Sequence, residues 1–265
     1  MDNKTHEINI QAIIKTLDDI LSRNDYNSAC DFLERSIVEA QNINDLKALF
    51  TLYNECIGIY RKTGKKEKCY FYCNEALDVT EKLKLSENVS GATTFINCAT
   101  AFKAFGEAEK GISFFEKAKK IYEEKLPPND KRLAGLYNNF ALSLTDLKRF
   151  DEAIDLYEKA ISVLKSYEEE QPETAISYLN MANTVEAKDG LENACEKIDT
   201  FLDKAIEILD KSLVKNDGNY AFVCEKCAST FGYYGRFFYE AELKERAREI
   251  YERTWAFKKI LWGTR

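Results

Sequence analysis

Two cysteine pairs, Cys69-x-x-x-Cys73 and Cys224-x-x-Cys227, have the spacing that puts two sulfurs on one helix face. Metal ligation or dithiol redox chemistry can be built from such pairs. Each pair lacks the company that chemistry needs. No second CxxC accompanies either one, and the only histidine of the chain is His6, close to the start. A single histidine also excludes Ser-His-Asp and Cys-His catalysis of ordinary geometry. No phosphate-binding glycine loop is present. The acidic runs Glu123-Glu124 and Glu168-Glu169-Glu170 fall where helices are expected to end and read as solvated. The expectation is therefore no enzyme activity, no cofactor and no metal, with all eight cysteines reduced and serving as small core residues.

Composition narrows the partners. Lys+Arg is 38 and Asp+Glu is 45, a net charge of −7, which disfavours general nucleic-acid binding because phosphate contact needs a positive field. No apolar run approaches the ~18 residues of a membrane span. The opening residues Met1–Glu7 lack the basic and apolar regions of a secretion signal, so a reducing cytoplasmic setting is expected. Hydrophobic residues make up 45% of the chain, enough for a continuous core, while 3 Pro and 11 Gly are too few for a β sandwich of this length.

The positioning elements emerge from self-similarity. Gly106–Ala118 (GEAEKGISFFEKA) aligns with Lys148–Ala160 (KRFDEAIDLYEKA), and Gly64–Ala76 (GKKEKCYFYCNEA) aligns with both. Upstream, Asn97-Cys98-Ala99, Asn139-Phe140-Ala141 and Asn180-Met181-Ala182 recur in phase, 42 (97 to 139) and 41 (139 to 180) residues apart. Each copy reads as two helices. A large apolar residue, a second three places on and a small residue lie on the first. A glycine-type turn follows, and Ala, aromatic and Ala positions mark the second. The set is Tyr137, Phe140, Ala141, Leu144, Ala153, Tyr157 and Ala160 in one copy, and Phe95, Cys98, Ala99, Phe102, Gly106, Gly111, Phe115 and Ala118 in another. Small residues let paired helices approach, and aromatics fill the space beside them. Cys56, Cys98, Cys69, Cys224 and Cys227 fall at these packing places.

The pattern resembles tetratricopeptide repeats. The unit near 42 residues is longer than the usual ~34, and is similar to that of kinesin light chains and of bacterial receptors for short peptides. The resemblance implies an all-α, right-handed α-solenoid of about six helix pairs in one domain over 1–265. The pairs are expected at about 8–41, 45–83, 90–125, 131–167, 173–213 and 219–253, with a capping helix extension over 254–265. In the fifth pair Leu202 and Ala205 come about four residues late, so its second helix is expected to be one turn longer.

The resemblance further implies a concave groove lined by the first helices, holding an extended segment of a protein or peptide partner. The amides of Asn97, Asn139 and Asn180 occupy one phase and could bond a peptide backbone. Asn54, Asn138 and Asn183 are neighbouring groove candidates, and Arg61 and Lys103 are basic ones suited to a carboxylate. A structural role for the asparagines, bonding repeat to repeat, stays open. The chain is expected to act as an interaction scaffold. Alternatives are a peptide-sensing module acting through a partner, or an oligomer built through its terminal helices. Trp255, Phe257, Leu261 and Trp262 form apolar stripes suited to packing on the last repeat or to a homodimer.

Overall fold

A computed structural model describes residues 7–167, 171–213 and 216–262, with side chains up to Arg253. Among these residues are twelve α-helices and no strand. They pair as α1 (Ile10–Leu21) with α2 (Tyr26–Asn42), α3 (Leu46–Lys62) with α4 (Lys66–Lys82), and α5 (Val89–Ala104) with α6 (Ala108–Lys125). The second half pairs α7 (Lys131–Asp146) with α8 (Phe150–Lys165), α9 (Glu173–Asp189) with α10 (Leu191–Ser212), and α11 (Gly218–Tyr233) with α12 (Phe237–Trp262). In the fifth pair α10 has 22 residues where α8 has 16, an excess nearer two turns than the one expected, and α12 is longer still at 26. The chain forms two compact units, Met1–Leu126 and Pro127–Arg265.

Local chemistry sets the helix ends. Asn9, Asp25, Asp45, Asp130 and Asp217 accept a backbone N–H of the first turn of α1, α2, α3, α7 and α11, which satisfies donors a helix start leaves open. Within every pair the turn passes through one left-handed residue: Asn24, Gly64, Gly106, Lys148, Gly190 and Gly235. In four pairs the residue after it donates back across the turn, as Lys65 N to Tyr60 O (2.9 Å), Glu107 N to Phe102 O (2.9 Å), Arg149 N to Leu144 O (2.8 Å) and Arg236 N to Phe231 O (2.8 Å). This is the Schellman closure, which favours glycine. Lys148 occupies that place at φ 61°.

The core follows the predicted small-and-aromatic register. Ala99, Ala118, Ala141, Ala153, Tyr157 and Ala160 are fully buried. The first and second helices of a pair approach so closely at Gly111 that a Cβ there would stand 2.9 Å from the Ala99 carbonyl oxygen. Seven cysteines are buried, including Cys69, Cys73, Cys224 and Cys227, and burial raises the thiol pKa of Cys56 and Cys227. Cys195 departs from the expected core role. It is exposed on α10, ahead of the buried Ile198, Leu202 and Ala205.

Within each unit the first helices of successive pairs pack on one another: α3 on α5 in the first unit, α7 on α9 and α9 on α11 in the second. Second helices pack instead on the first helix of the following pair, as α4 on α5 and α8 on α9. The layer whose members sit closer together is the inside of a bend. In each unit, therefore, the face of the first helices is the inner one.

Candidate functional site

In the first unit the inner face centres on a pair of asparagines. Asn97 on α5 donates from Nδ2 to Oδ1 of Asn54 on α3 (2.9 Å). Asn54 in turn spends its own Nδ2 hydrogens on the Phe50 carbonyl (2.9 Å) and on Thr94 Oγ1 (3.0 Å). Asn54 thus has no N–H left for a ligand and bridges α3 to α5, while Asn97 keeps one N–H and its carbonyl oxygen. Arg61 lies in the last turn of α3, half-buried, with no ion pair to a described carboxylate. Burial holds its guanidinium pKa below the ordinary value, and the neighbouring Cys69 and Cys73 act weakly the other way. Lys62 beside it places its amine 5.0 Å from the centre of the Tyr26 ring. Lys103 ends α5 in the corresponding place.

In the second unit Asn139 on α7 donates from Nδ2 to the Gly135 carbonyl of its own helix (2.9 Å). That geometry leaves one N–H and the oxygen for another partner. The amide of Asn180 on α9 is half-buried and makes no hydrogen bond to another described residue. Asn138 has a buried Oδ1 with no hydrogen-bond partner. α7 and α9 are tied together through Thr145 Oγ1 and Thr184 Oγ1 (2.9 Å).

Asn183 belongs to a cluster that spans α9 and α11. Its Oδ1 lies 3.0 Å from the Tyr234 hydroxyl, whose single hydrogen it shares with Glu186. One turn further along α9, the Glu186 carboxylate accepts the Tyr233 hydroxyl on Oε1 (2.6 Å) and the Tyr234 hydroxyl on Oε2 (2.8 Å). The hydrogen bond to Glu186 raises the Tyr233 phenol pKa, and burial does most of the same for Tyr234. The two rings meet edge to face, 5.0 Å apart. Glu186, Tyr233 and Tyr234 were not candidates on sequence grounds. A signal existed: Glu186 lies three residues after Asn183, hence on the same face, and a tyrosine pair precedes the Gly235 turn.

The side chains of Trp255, Phe257, Leu261 and Trp262 lie outside the described residues; α12 itself continues to Trp262. Further back, Leu243, Ala247 and Ile250 of α12 are buried. Arg246 braces this helix, donating to Asp210 (2.9 Å), Glu242 (2.5 Å) and the Tyr220 hydroxyl (2.9 Å). Among the described residues no group of three or more His, Cys, Asp or Glu is placed to hold a metal, and no helix is long and apolar enough to cross a membrane.

Helix pairs with small residues at the crossing, a Schellman turn between them and an inner layer of first helices match a known pattern. Residues 132–194 match the tetratricopeptide repeat family. That match runs from α7 through α8 and α9 to the start of α10. It is 23% identical over 159 residues to KINESIN LIGHT CHAIN-RELATED 1 of Arabidopsis thaliana, covering 56% of this chain and 26% of that protein. The chain spans about a quarter of the length of the curated relatives it matches. Among solved structures, BtubC (BKLC) from P. vanneervenii superposes with a TM-score of 0.65 at 20% identity, over 75% of this chain and 79% of that one. A Rap protein complexed with Competence and Sporulation Factor superposes with a TM-score of 0.51 at 15% identity, over 90% of this chain and 73% of that one. These likenesses establish the tetratricopeptide-repeat fold.

Proposed function

We propose that this tetratricopeptide-repeat chain is a non-catalytic interaction scaffold whose first-helix face holds an extended segment of a protein or peptide partner. The observation that carries the reading is the state of the in-phase asparagines. Asn97 on a first helix of the first unit, and Asn139 and Asn180 on first helices of the second, have side-chain bonding capacity unspent by the fold. A primary amide offers both a donor and an acceptor, which is what an extended backbone presents in alternation. Arg61, a half-buried guanidinium without a described carboxylate partner, supplies an anchor for an acidic side chain or a chain terminus. The net charge of −7 makes nucleic acid a poor alternative occupant.

The test is to select ligands for the whole chain from a library of random dodecapeptides and to map hydrogen–deuterium exchange with and without a selected peptide. Protection is expected along α3, α5, α7, α9 and α11. Protection confined to the second helices α2, α4, α6, α8 and α10 would overturn the reading.

A further inference from the structure

Glu186 is a carboxylate with no cation partner among the described residues. Its two carboxylate oxygens take neutral tyrosine hydroxyls, from Tyr233 (2.6 Å) and Tyr234 (2.8 Å), and no described lysine or arginine pairs with it. The basic side chains of α9 and α11, and Arg236 after them, have other partners. Lys188, the one basic residue of α9, is bonded to Asp151 on α8. Lys226, the one basic residue of α11, lies 5.7 Å from the centre of the Phe222 ring. Arg236, after the α11 turn, faces Asp199 (3.0 Å) and Asp203 (3.7 Å) on α10.

Two further features point to what the anion would take. Tyr233 is 68% exposed even though its hydroxyl is held, so its ring is offered to an incoming group in a fixed orientation. A phenol that donates to a carboxylate also carries a more electron-rich ring, and that strengthens its attraction for a cation. A carboxylate with an immobilised aromatic face beside it thus matches a side chain that is both charged and flat. Guanidinium satisfies both requirements, and ammonium the first.

We propose that Glu186, Tyr233 and Tyr234 form a cation-accepting subsite between α9 and α11 that takes an arginine, or less tightly a lysine, side chain of the bound segment. This rests on the reading of the first-helix face as the binding surface and assigns the chemistry of one place on it. The cation stacks on Tyr233 and pairs with Glu186. Neither hydroxyl bond has to break, because each carboxylate oxygen has a second lone pair to offer.

The experiment uses the full chain and four acetylated, amidated nonapeptides of glycine and serine that differ only at the central residue: Arg, Lys, Gln or Glu. Binding is followed through the tyrosine ring resonances. The Arg peptide is expected to bind about tenfold more tightly than the Gln peptide. The Lys peptide should fall between them and the Glu peptide below all. Glu186→Gln, which keeps an acceptor for the tyrosines, should reduce the Arg preference to about twofold or less. Tyr233→Leu should reduce it independently, so that a folding defect in one variant does not decide the matter. Equal binding of the Arg and Gln peptides, an undiminished preference in Glu186→Gln, or no binding of the Arg peptide overturns the subsite. The two readings separate cleanly. If all four peptides bind alike and the asparagine changes weaken them alike, the backbone-holding face stands and the subsite falls. If the Arg preference persists and replacing the asparagines leaves the affinity of the Arg peptide unchanged, the subsite stands and the asparagine reading falls.

Discussion

The cysteines show how much one residue's place in a repeat decides. Cys69, Cys73, Cys224 and Cys227 carry spacings that suggest chemistry, yet all four are buried at packing positions, and the Cys69 thiol points at the Ile57 carbonyl of the paired helix (3.5 Å). Desolvation suppresses the thiolate, which is the reactive form. Cys195 alone is exposed. A thiol reagent added to the native protein is therefore expected to modify one cysteine rapidly and the remaining seven only on denaturation. Rapid loss of several native thiols would contradict the assigned packing. The four paired cysteines were legible because their positions recur in phase. Cys195 was not, because it precedes the delayed packing positions that Leu202 and Ala205 mark on α10. The bonds from Tyr233 and Tyr234 to Glu186 were illegible for another reason. They join residues 47 and 48 apart in sequence, and no local rule reports such a meeting. The same holds for Asn54 and Asn97, singled out separately as groove residues but bonded to each other across 43 positions.

At the scale of the element, turns and crossings were the most legible part. Gly64, Gly106, Gly190 and Gly235 mark the turn inside four pairs, and all four adopt positive φ. Lys148 takes the same conformation with a side chain attached, at a cost of ~1–2 kcal/mol for an L-residue. Lys148→Gly is expected to stabilise the second unit by about 0.5–1 kcal/mol, part of the relief being lost to the freer unfolded chain. Chemical denaturation reads the shift, and a loss of stability would contradict the turn geometry. The crossing of α7 and α8 makes the opposite prediction. Ala141 is fully buried in the place that Ala99 fills in the preceding pair, against Gly111. Ala141→Leu should destabilise by ~1–3 kcal/mol through overpacking. An unchanged melting temperature would place Ala141 outside the crossing.

For the molecule as a whole, the helical architecture was legible because each pair repeats the same local solution and buries its apolar face only by stacking on the next. Function was less so, since a repeat scaffold is defined by what its surface offers and not by a reacting group. The central claim is that the in-phase amides hold a partner's backbone. Each lost neutral hydrogen bond costs ~0.5–1.5 kcal/mol, so replacing Asn97, Asn139 and Asn180 together with alanine should weaken binding by roughly tenfold to several hundredfold. The most direct measurement is calorimetric titration of the wild type and this triple variant with several selected peptides of unrelated sequence, beside a circular dichroism spectrum of each protein. The account predicts an unchanged helical spectrum and a similar loss of affinity for every peptide, because backbone contacts do not read side chains. Affinities equal to those of the wild type would contradict it.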